Sequence, residues 1–373
     1  MADDRLDALA PLFQAGGYHH IAPPILQPAD VFLDLAGEDI RRRLFLTSGQ
    51  DGLDLCLRPD FTIPVARNHL AEGAAARKAA YFYSGLVFRQ RPDELGEIHQ
   101  VGAENVGRTD RLAADADMLA LAVEAVDKLG GRAPAIRVGD EALFIGVIEA
   151  LGLPKVWRRR LRDLFGDRKR LDRAIERMAG SEAAEKDARL GFLAALEGAD
   201  PDAAHAVVED LLSIAGIEAV GGRSAGEIAE RFLEQAALAT GAGIGPQAAA
   251  TLTRFLDISG SLEDAGAALE AFAKDAGLDL AGPIADFRER AKLIGERGLP
   301  LDAITFAADF GRRLDYYTGF VFELHDAGAA IAHPPVAGGG RYDKLLALLG
   351  AGEDVPAVGF SIWIERIAEG AKA

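Results

Sequence analysis

The amino-acid sequence predicts an α+β fold, an antiparallel sheet flanked by helices and interrupted by a mostly helical insertion. Three observations carry this expectation. Two hairpin-like strand pairs occupy the first third of the chain, helix-forming residues dominate the middle, and strand character returns near the end. Strands and helices segregate instead of alternating as in a chain of βαβ units.

Taken in order, Leu6, Leu9, Leu12 and Phe13 recur at helical spacing before GGYHHIAPPIL breaks the chain with Gly and Pro. Arg43–Thr47 and Leu53–Leu57 read as strands joined by the turn-rich Ser48–Gly52, and Ala79–Phe88 with Glu97–Asn105 as a second hairpin. Ala113–Leu129 carries an apolar stripe through Met118, Leu121, Val123 and Val126 and is expected to be a long helix. Between about 150 and 300, Ala, Leu, Glu and Arg dominate, and patterns such as Val207–Ile214 repeat the helical period. The predicted division is therefore 1–150, the first part of a core; 151–300, a helical insertion; and 301–373, the second part of the core. In that last part Ile304–Phe310 and Tyr316–Leu324 read as strands and Phe360–Glu369 as an amphipathic helix. No internal repeat or low-complexity tract is apparent.

Composition bounds the function. The chain has 373 residues, 41 Lys and Arg against 58 Asp and Glu, and a formal charge of −17. That balance argues against unspecific capture of nucleic acid and against an anionic membrane surface, since both need clustered cations. A single cysteine, Cys56, excludes an internal disulfide and fits a reducing compartment. No segment approaches the roughly 20 apolar residues of a membrane span. The acidic start MADDRLDALAPLF reads as neither secretory signal nor transit peptide, so a soluble, cytoplasmic protein is expected.

Four stretches carry more specific polar groups than solvent-facing strands need. In Leu57–Arg67, Asp60 and Thr62 would share a face if extended, an acceptor beside a hydroxyl that suits an ammonium group. The competing reading is a helix start with Asp60 or Thr62 as cap and Pro64 in the first turn. In Phe88–Glu104, Gln100, Gly102 and Glu104 lie on one strand face, the glycine leaving room for a ligand. A solvated hairpin would explain Arg89 and Arg91 but not that polar face. In Gly311–Glu323, Tyr316 and Tyr317 are expected on opposite faces of a strand, one in the core and one in a cleft. In Ala337–Asp343, three glycines offer an anion-binding turn, but no Lys-Ser/Thr follows to make a P-loop. Gly241–Gly245 lacks the spacing of a dinucleotide fingerprint, the seven histidines lack metal-ligand spacing, and no Gly-x-Ser-x-Gly elbow is present. No metal and no cofactor is implied.

Together and in this order, these segments resemble the catalytic core of histidyl-tRNA synthetase, a class II aminoacyl-tRNA synthetase, from about residue 10 to 367. Leu57–Arg67 resembles its LRPEGT stretch, Phe88–Glu104 motif 2, Arg312–Glu323 and Ala337–Asp343 the LDYY and GGRYD histidine motifs, and Val358–Arg366 motif 3. The resemblance implies a histidine pocket. In it Asp60, Thr62 and Gln100 hold the α-amino group, Glu104 and Tyr317 address the imidazole, Arg312 meets the carboxylate, and Tyr342 lines the wall. Arg89 and Arg366 stand where motifs 2 and 3 contact phosphate.

Two departures redirect the reading. The motif 2 loop shrinks to Asp93–Glu97, three acids and no cation where a synthetase carries arginines toward ATP and tRNA. The chain also ends seven residues after Arg366, where a synthetase continues into an anticodon-binding domain. An acidic core of this kind is similar to the regulatory subunit of short-form ATP phosphoribosyltransferase. That resemblance implies a non-catalytic chain, a short-form catalytic subunit as partner, L-histidine as effector, no tRNA, and a homodimer within a hetero-oligomer, a hetero-octamer. The dimer contact is expected near Gly17–Leu35. The alternative is a minimal histidine-activating ligase that keeps Arg89 and Arg366 for phosphate.

Overall fold

The computed structural model describes residues 3–35, 38–49, 52–73, 77–91, 95–130, 134–179, 219–220, 223–224, 245–312, 316–326 and 334–370. It divides into two compact units, Met1–Gly146 with Leu256–Ala373, and Val147–Phe255.

The first unit is built on a nine-stranded sheet. Numbering all strands along the chain, β1 is His19–His20, β2 Leu26–Pro28, β3 Leu46–Ser48, β4 Asp54–Leu57, β5 Ala79–Phe88, β6 Glu97–Val106 and β7 Ala135–Asp140. The short pair Ala219–Val220 and Arg223–Ser224 gives β8 and β9. Then follow β10 Ser259–Ser261, β11 Ile304–Ala307, β12 Phe320–His325, β13 Ala337–Arg341 and β14 Ala357–Trp363. The sheet order is β1-β5-β6-β14-β13-β12-β7-β11-β10. The six strands from β5 to β7 in that order are antiparallel throughout, as the hairpin pattern predicts. The sheet is mixed only where β1 joins β5 and β11 joins β7, both in parallel. The expected Arg43–Leu57 hairpin is present as β3 and β4, with β2 as a third strand of a separate small sheet.

One face of the main sheet is covered by helices. Helix Arg111–Lys128 crosses β12, β13 and β14 and packs against helix Ala281–Glu296. Helix Asp3–Ala15 lies on the same side, where Phe13 stacks on Phe82 at 5.2 Å. Under these helices sits a buried ion network. Asp115 binds Arg290 (Nε–Oδ2 2.9 Å) and Arg341 (Nη2–Oδ1 2.7 Å), Arg290 reaches Asp140 at 2.6 Å, and Arg341 reaches Asp343 at 2.8 Å. Charges taken out of water persist when paired in this way. The opposite face carries the polar residues singled out above, and helix Thr62–Ala71 bounds it.

Three expectations change. The predicted insertion of 151–300 extends past the second compact unit, because β10 is an edge strand and helices Leu262–Ala276 and Ala281–Glu296 belong with the core. Composition alone does not separate helices that cover a sheet from helices of an insertion. Strand β12 begins at Phe320, not Tyr316, and the terminal helix is Ile364–Gly370 because β14 pairs with β13 as far as Ile362 and with β6 as far as Trp363. Val207–Ile214, the glycine run 241–244, Asp93 and Glu94 lie outside the described residues.

In the second unit, helices Lys155–Leu164 and Arg168–Met178 pack together, burying Trp157, Leu161, Leu171 and Ile175, and Gly245–Leu256 forms a third helix.

Candidate ligand-binding site

The site grows from the register of three strands. Because side chains alternate along β6, Gln100, Gly102 and Glu104 share the face away from the covering helices. The ladder sets Trp363, Ser361 and Gly359 of β14 beside them, and Gly85, Tyr83 and Tyr81 of β5 on the other side. The space at Gly102 is not left for a ligand. The Tyr83 ring fills it, and its hydroxyl reaches Ser361 Oγ at 2.8 Å and donates to Glu104 Oε1 at 3.2 Å.

Glu104 is the centre of the arrangement. Thr62 Oγ1 donates to its Oε1 at 2.8 Å, and the Tyr342 hydroxyl donates to its Oε2. A side chain at Gly359 would collide with that second oxygen, so a glycine opposite Glu104 is what lets the carboxylate lie flat on the sheet. Burial pushes the Glu104 carboxyl up to about 8 against the pull of its three hydroxyl donors.

Both readings of Leu57–Arg67 hold in part. The segment starts a helix at Thr62, and Asp60 Oδ1 accepts from the Ile63 amide at 3.3 Å in the manner of a cap. Yet both side chains turn inward. Asp60 is 4% exposed, its Oδ2 has no partner, and burial pushes its carboxyl up to about 6 while Arg89 and the Ile63 amide oppose the shift. Gln100 is 1% exposed and its Oε1 is likewise unpartnered.

The expected anion-binding turn at Gly338–Gly340 is a buried strand, β13. Its use is close approach: the Arg312 guanidinium lies where a Gly338 side chain would be. Arg312 sits 3.4 Å from Glu323, 5.9 Å from the Tyr317 ring centre and 5.7 Å from that of Trp363, and its buried Nε has no partner. Trp363 Nε1 is also unpartnered. Tyr316 and Tyr317 do not occupy opposite faces of a strand. They precede β12 and pack on each other at 5.2 Å, Tyr316 against Tyr342 and Tyr317 beside Arg312, where burial pushes the Tyr317 hydroxyl up to about 12.

Arg89 donates to the Pro59 carbonyl at 2.8 Å, and Arg366 donates to the Pro335 carbonyl while stacking 4.3 Å over Trp363. Burial, with Arg91, Arg89 and Arg312 nearby, lowers Arg366 to about 10. The site thus has two poles. Asp60, Gln100 and Glu104 present oxygens at one, Arg312 and Arg366 present donors at the other, and Arg89 lies beside Asp60 as Trp363 does beside Gln100. Two acceptors and two donors within it, all buried, have no partner among the described residues. Such a cleft suits a small zwitterion.

All seven expected pocket residues are brought to this neighbourhood. Tyr83, Glu323 and Trp363 are members that sequence reasoning passed over. A tyrosine facing a glycine across a hairpin was the available signal for Tyr83, and Glu323 becomes visible only once Arg312 is seen crossing β13.

The family model described as Histidyl-tRNA synthetase matches residues 3–220 and 205–367. The solved structure of a histidine–tRNA ligase subunit from Alicyclobacillus acidocaldarius is similar at 26% identity and a TM-score of 0.58, covering 100% of this chain and 93% of that one. A Bacillus halodurans structure described as an ATP phosphoribosyltransferase regulatory subunit/histidyl-tRNA synthetase shares the fold at 20% identity and a TM-score of 0.63, covering 99% and 78%. The fold is therefore that of a histidyl-tRNA-synthetase-like class II core. The ATP phosphoribosyltransferase regulatory subunit of Brucella canis is 46% identical over 348 residues, 92% of this chain and 91% of that protein. The chain belongs to the family of ATP phosphoribosyltransferase regulatory subunits.

Proposed function

We propose that this chain is the non-catalytic regulatory subunit of a short-form ATP phosphoribosyltransferase. It supports the catalytic subunit in joining ATP to phosphoribosyl pyrophosphate, the first step of histidine biosynthesis, and it carries feedback inhibition by histidine. The observation that carries the reading is the two-pole cleft with its buried, unpartnered Asp60 Oδ2, Gln100 Oε1, Arg312 Nε and Trp363 Nε1.

The residues act on histidine as follows. Asp60 and Gln100 offer acceptors to the α-ammonium group, with Thr62 beside them. Arg312 pairs with the α-carboxylate, for which its planar fork is suited. Glu104 and Tyr317 face the imidazole nitrogens, and Tyr342 holds Glu104 in place through its second oxygen. Feedback follows if histidine binds the inhibited assembly more tightly than the active one, since an effector shifts an equilibrium only by its difference in affinity.

The assembly is a homodimer within a hetero-octamer, in the cytoplasm and without tRNA. Ile25 and Leu26 are 46% and 51% exposed, and an open cavity of about 300 Å3 nearby is lined by Val31, Leu35, Leu70, Leu348 and Leu349 together with Asp30 and Arg67. The exposed apolar side chains of Ile25 and Leu26, within Gly17–Leu35, support a dimer contact there. No helix among the described residues is long and apolar enough to cross a membrane.

One observation favours a second reading. Arg89 and Arg366 remain as close, half-buried cations, the minimum a histidine-activating ligase needs for phosphate. Two measurements separate the readings. Calorimetry is expected to show histidine binding to the isolated chain, and ATP–pyrophosphate exchange is expected to be absent. Mixed with a short-form catalytic subunit, the chain should stimulate phosphoribosyl-ATP formation and make it histidine-sensitive. Robust histidine-dependent exchange without stimulation would establish the ligase instead.

A further inference from the structure

Charge is distributed very unevenly along this chain. Residues 155–178 hold ten Lys and Arg against four Asp and Glu, a net +6 inside a protein of −17, so all other residues together carry −23. These residues are the two packed helices Lys155–Leu164 and Arg168–Met178. Their apolar faces are buried and their basic faces are exposed.

Part of the basic charge is neutralised locally. Arg168 pairs with Asp172 at 2.8 Å and Arg170 with Asp167 at 3.3 Å. Arg160, Arg162, Lys169, Arg173 and Arg177 are exposed and have no ion partner among the described residues. Lys169, Arg173 and Arg177 follow one another at i, i+4 and i+8, so they form a single cationic stripe. Like charges at that spacing destabilise a helix. A helix that keeps such a stripe at its own expense gains when an anionic surface covers it.

The anionic surface has a definable chemistry. Base stacking is unsupported, because the aromatic side chains of the hairpin, Trp157 and Phe165, are buried. A polyphosphate backbone extends well beyond a Debye length and beyond a stripe of this length, while a carboxylate-rich patch on a folded protein interacts locally. Arginine forks match carboxylates in pairs, and the interspersed acids of the hairpin find cations on a mixed protein surface. We propose that the exposed face of helices Lys155–Leu164 and Arg168–Met178 docks an acid-rich surface of a protein partner. Resting on the functional reading above, that partner is the catalytic subunit.

The test uses the full chain with Arg160→Glu, Arg173→Glu and Arg177→Glu combined, beside the charge-conserving variant in which the same three residues become Lys. The dissociation constant of the complex with a short-form catalytic subunit is measured between about 50 and 500 mM salt, where screening of exposed charges differs most. The Glu variant should bind at least about tenfold more weakly at low salt and lose most of the salt dependence, while the Lys variant stays close to the parent chain. Unchanged histidine binding shows that the Glu variant is folded, and Arg173→Glu alone gives a milder replacement if it is not. Equal affinity and salt slope in the Glu variant and the parent overturn the proposal while leaving the regulatory reading intact. It is also overturned if the reversal abolishes self-association or RNA binding and spares the complex. A parent chain that neither binds nor stimulates the catalytic subunit removes the functional reading and this proposal with it.

Discussion

On the helix-covered face of the sheet, Asp115 is fully buried and both its oxygens are taken by Arg290 and Arg341. On the other face Asp60 is almost as deeply buried, yet Oδ2 has no partner and its nearest cation, Arg89, donates to the Pro59 carbonyl instead. Glu104 beside it is held by hydroxyls alone. The two clusters lie on opposite sides of the same strands, so the fold can satisfy buried charge and does so where the charge is structural. On the second face burial without a paired cation raises two carboxyls, to about 6 and about 8, and Asp60 keeps one oxygen available. The neighbours Arg341 and Tyr342 make the contrast within two residues: the first serves the ion network and the second Glu104.

The comparison is broken most severely by Asp115→Ala. It leaves two buried guanidinium groups facing each other without their shared carboxylate, and the expected loss is about 3–5 kcal/mol. Chemical denaturation measures it, and a loss below about 1 kcal/mol would show that the network is not the structural half of the pair.

A smaller effect, of opposite sense, is expected on the other face. A carboxyl whose pKa is raised by folding contributes stability that is full below its unfolded pKa and is lost as pH rises through the folded value. For Glu104 that loss runs from the model-peptide value of 4.5 to about 8, and for Asp60 from 3.8 to about 6. Between about pH 6 and pH 8 the parent chain should therefore lose about 2–3 kcal/mol. Glu104→Gln should remove most of that slope and be the more stable protein near pH 8. Parallel stability curves for the two proteins would sink the assignment.

Gly338→Ala tests the cationic pole. The added methyl displaces the end of a flexible side chain, Arg312, so stability should change by less than about 1 kcal/mol while histidine affinity falls by about tenfold, or 1.4 kcal/mol. Gly339→Ala, one residue on, meets the Gly359 carbonyl and Phe322 on the helix-bearing side. It should cost stability first, about 1–3 kcal/mol. Calorimetry and denaturation on both variants separate the faces.

How much of this was readable beforehand varies with the range of the interactions. The hairpin β5–β6 and the face formed by Gln100, Gly102 and Glu104 follow from alternation alone, and both are present. The glycine run 338–340 was misread because local chemistry offers glycines to turns, while here they admit Arg312, Phe322 and Tyr317 from elsewhere in the chain. Tyr316 and Tyr317 were misplaced because β12 starts only after the chain has crossed to Arg341, through the Thr318 amide at 2.8 Å. Asp115 gave no signal at all. It is one acid on a helix, and its partners lie 175 and 226 residues away.

The finest test uses Tyr83, whose hydroxyl touches Glu104, Ser361 and the Phe360 carbonyl. Tyr83→Phe keeps the ring that fills the space at Gly102 and removes only the hydroxyl, at an expected cost of about 1 kcal/mol. The same hydroxyl is one of three that favour the charged form of Glu104. Its loss should therefore move the Glu104 carboxyl further above about 8 and extend the fall in stability to higher pH, with histidine binding retained. Tyr83→Phe should leave the salt and pH response of the Asp115 network unchanged, because the sheet lies between them. A uniform drop in stability at every pH would mean that the Tyr83 hydroxyl packs the core without holding Glu104, and the hydroxyl-only support of that carboxylate would have to rest on Thr62 and Tyr342.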